Sequence, residues 1–451
     1  MTAIRSTVAF RFGYGLPLPD GAPQDADAMM ALLNGADLAV QRWPIPGMDE
    51  LAPVLRQLRR PSGPARNEPA ALAIFQQARI DTELLRERAI RATIARSLDS
   101  PDGFRERMVA FWVDHFTVMA RNPGNVLLSF LLVDEAIRAN ITGSFDAMLT
   151  ATILQPAMLI YLDQTQSFGP GSQTGQRKGL GLNENLAREM IELHTLGVGA
   201  GYSQDDVRQM AELLTGLVVD PLVGMGFDGR RAEPGDETVL GKTYSGEGLE
   251  PIKAALRDVA LRPETAAHIA RKLAVHFVSD DPDPALVAAL QDAWVSSGGH
   301  LGQVYAALLA HPAAWVRDAH KVRQPYDFVV AALRALGLTG QDIVDMDEKS
   351  LSRLILGGMR AMGQPFKAPR GPDGWPERAE TWITPIGLAA RINWAMTVPA
   401  RLVAQLPDPV RLAQTALDDR AGEQLLWAAA RAESVKEGVG LVLASPEFNR
   451  R

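Results

Sequence analysis

The chain has 451 residues, of which 47% are hydrophobic and 22% are charged. This composition is typical of a globular protein with enough apolar material for a large core. The net charge of −7 and the absence of a basic tract argue against a nucleic-acid-binding surface. Because the chain has no cysteine, disulfides, cysteine nucleophiles and thiolate metal sites are excluded.

The sequence also predicts where the protein resides. No segment approaches about 18 consecutive apolar residues, so we expect no membrane span. The N-terminus, MTAIRSTVAFRFGYG, lacks the long apolar run of a secretory signal. We therefore expect a cytoplasmic protein. A chain from which an export signal had been removed would look the same, so a periplasmic location stays open.

Helical patterns dominate the chain in order. A run rich in alanine, leucine and arginine begins at Pro69 and stops at Ser100-Pro101-Asp102-Gly103, which predicts one long helix. The next run carries an apolar face with i, i+3, i+4 and i+7 spacing, so we expect His115 to point towards a core. The residues of that face are Met108, Phe111, Trp112, His115 and Met119. Further helices are predicted for 263–278, 285–338 and the C-terminal part.

Two stretches depart from this pattern. Residues 164–182 are rich in glycine and polar side chains and show no periodicity, which predicts a loop or lid. Residues 217–246 contain too many glycines and prolines for a helix and predict a small β-hairpin region. The fold class is therefore mainly α with one β excursion. We expect a single large domain over 1–451, with an N-terminal subdomain 1–163 and a part 183–451 joined by the flexible loop 164–182.

The densest group of reactive side chains lies in the predicted helix that starts at Asn183 and ends at Gly197. At about 100° per residue, its acidic and basic side chains fall on one face. These are Glu184, Asn185, Arg188, Glu189 and Glu192. His194 falls on the opposite, apolar face, so a ligand set made of Glu192 and His194 is excluded.

That polar face has two explanations. The ordinary one is a solvated surface on which Arg188 forms i, i+4 ion pairs with Glu184 and Glu192. The sharper one is a buried face on which Arg188 keeps one carboxylate ionised while a desolvated one acts as acid or base. Paired carboxylates of this kind hydrolyse glycosidic bonds or bind a divalent cation.

Other candidate residues lie outside this helix. His115 and His194 sit on apolar faces, where a histidine is usually a hydrogen-bonded core residue. A metal site would need two of them to meet, and we assign no metal ligand and no cofactor. Trp375 and Trp382 have two possible roles. They either pack within their loop, which is the more common role, or form a platform on which a ligand stacks. We take Asn183, Asn185 and Trp375 as candidate substrate contacts, with His115 and His194 behind the carboxylates.

Several motifs together resemble a known family. The stretch NENLAREMIELHTLGVGAGYSQDDVRQMAELLTG is similar to the signature of the bacterial family called domain of unknown function 1800 (DUF1800). The resemblance continues in RMVAFWVDHFTV, MLIYLDQTQSFGP, TVLGKTY, KLAVHFVSDDP and the terminal SPEF, and so covers essentially the whole chain. It implies no established activity. It implies export in many members, and a partner from an exported sulfatase-like family often encoded nearby.

Three functions follow as hypotheses. The first is a hydrolase of a glycan or other envelope polymer, with Glu184, Glu189 and Glu192 as catalytic carboxylates tuned by Arg188. The second is a non-catalytic helical protein that binds or assembles with a partner, which predicts an exposed apolar patch. The third is a metal-binding or oxidoreductase protein.

Overall fold

A computed structural model describes residues 2–58, 62–63, 68–120, 122–220, 224–316 and 321–451. Helices dominate this part of the chain, as the sequence predicts. Helices α1 to α12 precede the strands and span Thr2–Arg11, Ala26–Leu33, Leu38–Arg42, Met48–Gln57, Pro69–Asp99, Gly103–His115, Pro123–Leu131, Phe145–Ile153, Pro156–Tyr161, Gln173–Lys178, Asn185–Glu189 and Gln204–Leu213.

Two short antiparallel hairpins follow α12. Strand β1 (Leu217–Asp220) pairs with β2 (Gly224–Phe227), and β3 (Glu237–Val239) pairs with β4 (Lys242–Tyr244). Helices α13 to α27 complete the chain and span Leu249–Ala260, Pro263–Phe277, Pro284–Ser297, Leu301–Ala310, Pro325–Ala335, Gly340–Asp345, Glu348–Ser350, Gly357–Ala361, Ala379–Trp382, Pro385–Thr397, Pro399–Leu402, Pro409–Leu417, Glu423–Ala430, Val435–Ala444 and Pro446–Asn449. Within the described ranges, three helices continue into π-helical turns, at Leu132–Ile137, Met190–Thr195 and Leu351–Leu356.

The strongest local signals in the sequence are confirmed. The mainly α class and the small β region near 217–246 are both found, although residues 221–223 lie outside the described part. The long helix predicted from Pro69 is α5, which ends at Asp99 before the predicted break. Helices α15, α16 and α17 fill the predicted stretch 285–338, of which 317–320 are not described.

The stretch 164–182 is more regular than its composition suggests. It contains a 3₁₀ turn at Gln164–Gln166 and helix α10, so the expectation of a segment without regular structure is wrong in part. Backbone hydrogen bonds dock it on the segment after β2: the Gly169 N–H donates to the Arg231 carbonyl at 2.8 Å. A Cβ on Gly169 would lie 2.5 Å from the Glu233 nitrogen, so only glycine allows this approach.

Two hydrophobic clusters form the core. The larger one runs from Val8 to Ala314 and centres on α6, with Trp112, Phe116 and Phe145 among its buried rings. The second runs from Ala9 to Phe448 and contains buried side chains of α5, α17, α22 and α26. The predicted apolar face of α6 is buried at Met108, Phe111, Trp112 and His115. The helix ends at His115, so the partly buried Met119 lies beyond it.

Buried ion pairs tie these helices together. The guanidinium of Arg138 donates to the Glu106 carboxylate on α6 and to Asp37 at 2.8 Å. The Arg138 and Glu106 side chains are 6% and 4% exposed, so neither charge is solvated by bulk water. Removing one partner of such a pair leaves the other charge buried and unpaired.

We predict that Arg138→Met lowers the free energy of unfolding by about 3–5 kcal/mol, because Glu106 would be left in the core without its cationic partner. Urea denaturation measures this loss. The matched control is Arg86→Met, since Arg86 forms an exposed i, i+3 pair with Glu83 and its loss costs less than about 1 kcal/mol. Equal losses in the two variants would contradict the structural role of the Arg138–Glu106 pair.

Candidate functional site

The helix predicted from Asn183 begins two residues later than expected. Helix α11 starts at Asn185, and the Asn183 side chain accepts a hydrogen bond from the Asn185 N–H at 2.9 Å. The helix then continues into the π-helical turn Met190–Thr195. Gly197 follows with a φ of 92°, as expected for a residue that ends a helix. The capping box predicted for the next helix is present between Ser203 and Asp206.

The polar face of α11 carries the predicted ion pairs. Arg188 contacts Glu184 at 2.8 Å and Glu192 at 3.4 Å. Gln204 from α12 bonds to both Glu184 and Arg188. About a third of the Arg188 side chain and about a third of the Glu184 side chain are exposed. The polar face of α11 is therefore partly accessible to solvent. Asn185 is exposed.

The opposite end of this helix is capped by histidines. The last carbonyls of a helix have no intrahelical donor. Here the His115 Nε2 lies 3.1 Å from the His194 carbonyl oxygen, and the His268 Nε2 lies 3.2 Å from that of Leu193. A carbonyl only accepts, so both imidazoles carry their proton on Nε2. Two histidines from α6 and α14 thus satisfy the end of the central helix.

This capping fixes the remaining nitrogen of His115. Burial lowers the pKa of His115 well below its ordinary value, with the charge of Lys272 as the next cause, so the ring is neutral. Its Nδ1 is then a free lone pair, and the Lys272 ammonium donates to it at 3.0 Å. His194 packs 5.8 Å from His115, ring centre to ring centre. Neither ring nitrogen of His194 has a hydrogen-bond partner among the described residues.

A cleft opens directly above these histidines. It has a volume of about 320 Å³ and is lined by side chains from α6, α14 and residues 373–377. Helix α14 presents His268, Lys272 and His276 at i, i+4 and i+8, which places all three on one face. The polar lining residues are Asp114, His115, His268, Arg271, Lys272, Asp373 and Glu377, with Trp375 between the two acids.

Asp114 is an acid of the cleft whose pKa is raised. Burial is the main cause that raises its pKa to about 7, and the charges of Glu377 and Asp373 add to it. The Trp375 N–H donates to its Oδ1 at 2.8 Å. A Cβ on Gly374 would lie 2.6 Å from the Asp114 backbone oxygen, so the chain at 373–375 lies directly against Asp114. A carboxyl with this pKa exchanges protons near neutral pH.

Charged neighbours surround Asp114. Burial lowers the pKa of Lys272, and the charges of Asp114 and Glu377 act in the opposite direction. Burial also raises the pKa of Glu189, followed by the charges of Glu192 and Asp373. Asp373 thus acts electrostatically on Asp114 and on Glu189. The acids of α11 and those of the cleft belong to one charged region.

The site residues predicted from the sequence therefore lie in different places in the structure. His115 and Trp375 line the cleft, Glu189 lies within its electrostatic field, and His194 is buried beneath it. Glu184, Arg188 and Glu192 form their own ion-pair row on α11. Four polar residues of the cleft were not predicted from the sequence, namely Asp114, Lys272, Asp373 and Glu377. The adjacent Asp114-His115 pair and the spacing of His268, Lys272 and His276 were the signals that could have found the cleft.

The histidines do not form a metal-binding set in this arrangement. Over the residues that the structure describes, no group of three or more His, Asp or Glu side chains is placed to hold a metal ion. The physical reason is visible at His115 and His268, whose Nε2–H groups point at carbonyl oxygens.

Helices, hairpins and cleft together define a mainly α protein with an acid, lysine and histidine site at the end of its central helix. In the described part of the chain, no helix is both long and apolar enough to cross a membrane. A family model described as a protein of unknown function (DUF1800) matches residues 11–450. The chain belongs to this family. No curated protein and no solved structure matches it significantly.

We predict that His194→Phe makes the protein less sensitive to acid. Burial lowers the pKa of His194 to about 3, whereas an unfolded histidine titrates near 6.5. Between these values the unfolded chain binds a proton that the folded protein does not. The contribution of neutral His194 to the free energy of unfolding is therefore fully present above pH ~6.5. It declines as the pH falls towards 3, by up to about 1.4 kcal/mol per pH unit.

Urea unfolding at about pH 7 and about pH 5 measures this difference. Wild-type protein should lose roughly 2 kcal/mol more than His194→Phe between these conditions. The control is His300→Gln, because His300 is exposed, and this variant should follow wild type. Parallel losses in wild type and His194→Phe would show that His194 is not held neutral in the fold.

Proposed function

We propose that the protein is a carboxylate-dependent hydrolase whose active site is the cleft between α6, α14 and residues 373–377. One observation carries the proposal: Asp114, a half-buried carboxyl whose pKa is raised to about 7, lines a cleft together with Lys272 and Asp373. A buried acid near neutrality and a second carboxylate are the pair that glycoside hydrolysis needs.

Each side chain has a role in this proposal. Asp114 in its protonated form donates to the leaving oxygen as the scissile bond breaks. Asp373 accepts a proton from the attacking water. Lys272 stabilises negative charge that develops on the substrate, and its position is fixed by the Nδ1 of His115. Trp375 offers an aromatic face at the cleft wall, as sugar-binding sites often do.

Glu189 and Glu192 extend the site in this proposal. Glu189 interacts electrostatically with Asp373, and its own pKa is raised mainly by burial. The row from Glu184 to Glu192, with Arg188, Asn183 and Asn185, would then contact a long substrate outside the cleft. A polymer such as an envelope glycan fits an open cleft that continues into a charged row. A periplasmic location and a sulfatase-like partner would accompany that substrate.

We predict that Asp114→Asn lowers hydrolysis of dye-labelled peptidoglycan or β-glucan at least about 100-fold, because the amide has no proton to donate to a leaving oxygen. The amide oxygen still accepts from the Trp375 N–H, so the fold is retained, and circular dichroism checks this. The control is Glu83→Gln, an exposed acid on α5, which should keep full activity. The measured quantity is the rate of soluble dye release.

The pH profile gives a second readout of the same residue. A general acid must be protonated, so the rate should be highest below the Asp114 pKa of about 7 and fall above it. Full activity in Asp114→Asn, or an unchanged rate up to about pH 9, would contradict the assignment. Glu189→Gln and Glu192→Gln test the extension separately, since unchanged activity in both would confine the site to the cleft.

A second candidate function rests on a different surface. Helices α21 and α22 expose four large apolar side chains within ten residues, namely Ile383, Ile386, Leu388 and Ile392, and Ile386 is 80% exposed. Such residues favour a binding or assembly protein. A photo-crosslinking residue at position 386 would then capture one defined partner in native cells, and the effect of Ile392→Glu on that crosslink tests the surface. The third hypothesis, a metal-binding or oxidoreductase protein, gains no ligand set from the described residues.

A further inference from the structure

A second cavity lies on the other side of Asp114. Its volume is about 170 Å³, and its walls include side chains from α5, α6, α7, the π-helical turn after α7, residues 324–327 and residues 359–369. Most of the wall is apolar, with Val109, Val113, Phe116, Phe130, Val133 and Phe366 around it. Asp114 and Trp375 line both this cavity and the cleft. The hydrolase proposal does not use this space.

The arginines of the cavity are already neutralised. Arg96 forms two hydrogen bonds with the Asp134 carboxylate, at 2.7 and 2.9 Å. Arg107 contacts Asp327 at 2.6 Å, and Arg138 pairs with Glu106. These cations are therefore part of the fold, and none of them offers a free charge to a ligand.

Lys367 differs from these arginines. Its Nζ donates to the Ser129 carbonyl at 3.0 Å and lies 4.5 Å from the centre of the Phe130 ring. No ion pair within 4 Å joins it to a carboxylate of the described chain, and Asp134, whose charge raises the pKa of Lys367, is held by Arg96. Since an ammonium has three donors, two remain beyond the one used.

The backbone at Lys367 is also unusual. Its φ is 49°, in the left-handed region that non-glycine residues rarely adopt. Such a conformation costs about 1–3 kcal/mol and persists where the surroundings impose it, often at binding sites. The flanking Phe366 and the nearby Pro365 and Pro369 also line the cavity. The strained residue thus directs its amine to the wall of an apolar space.

We propose that this cavity binds a small apolar carboxylate, of the size of one aromatic ring or a short alkyl chain, whose anionic group pairs with Lys367. The size follows from the volume, because an apolar cavity of about 150 Å³ accommodates a benzene ring. The anionic group follows from the unpaired ammonium. Burial lowers the pKa of Lys367 to about 8, so the amine is still largely protonated at neutral pH, and a bound anion would stabilise that form.

Calorimetric titration of the full chain with benzoate, and with benzyl alcohol as its neutral counterpart, tests the proposal. Wild-type protein should bind benzoate about 10- to 100-fold more tightly, which is the range of a hydrogen-bonded charge pair. Lys367→Met should remove this preference while benzyl alcohol binding changes less than about 3-fold. Lys367→Arg keeps the charge and should retain part of the preference. Ala110→Leu, which fills the cavity from α6, should weaken both ligands.

Several results would overturn the proposal. Wild-type protein that binds neither compound, or binds both equally, contradicts it without any variant. Undiminished benzoate preference in Lys367→Met would place the anion elsewhere. If Lys367→Met fails to fold in thermal unfolding, Lys367→Arg and Ala110→Leu still decide the site. Because binding is measured directly, the result does not depend on whether the cleft hydrolyses a polymer.

Discussion

A chain of buried charges around His276 holds the two cores and the cleft in register. Arg107 on α6 donates to the Nε2 of His276 on α14 at 3.0 Å and contacts Asp327 on α17 at 2.6 Å. The Nδ1–H of His276 in turn bonds to Glu377, which Lys321 contacts at 3.0 Å. Because the guanidinium only donates, His276 must carry its proton on Nδ1, the opposite arrangement to His115 and His268. Each of these buried charged side chains, and His276 between them, thus has a defined partner.

This series of buried charges explains why the segment before α21 has a fixed position despite its prolines and glycines. Lys321 is 1% exposed. Its Nζ also bonds to the Glu377 carbonyl at 2.8 Å and to Asp280 at 2.6 Å, and Asp280 accepts from the Ala379 N–H. The interactions with His276 and Lys321 keep the pKa of Glu377 well below its usual range in spite of burial. Glu377 therefore stays ionised and anchors the neighbouring Trp375 against Asp114.

More of the fold than of the candidate site could be predicted from the sequence. The periodicity of α5 and α6 and the capping box at Ser203 depend on neighbours within one turn, so they could be read directly. A constant 100° per residue does not describe the whole of this helix, because Met190–Thr195 is a π-helical turn whose wider winding shifts every later side chain. The ion pairs of Arg188 with Glu184 and Glu192 survived this shift because they span single i, i+4 steps.

The cleft could not be predicted from local sequence patterns, because the residues that contact each other in it are distant in sequence. Lys272 and His115 are 157 residues apart, and Trp375 and Asp114 are 261 apart. Asp114 therefore looked like an ordinary acid at the end of an apolar helix. The packing of 373–375 against it contributes to the burial that raises its pKa. The same packing places Asp114 in the wall between a polar cleft and an apolar cavity.

The two sides of the central helix are consequently linked through its C-terminal end. Its polar face carries carboxylates whose charges reach Asp373, and its terminal carbonyls orient His115 and His268 beneath the cleft. The His194 carbonyl fixes the orientation of the His115 ring, and burial together with the charge of Lys272 keeps the pKa of that ring low, so its Nδ1 is a fixed acceptor for Lys272. His115 and His268 thus support the cleft, which the acids Asp114, Asp373 and Glu377 also line. Asp114 is the acid among them that combines burial, a fixed hydrogen bond and access to the cleft.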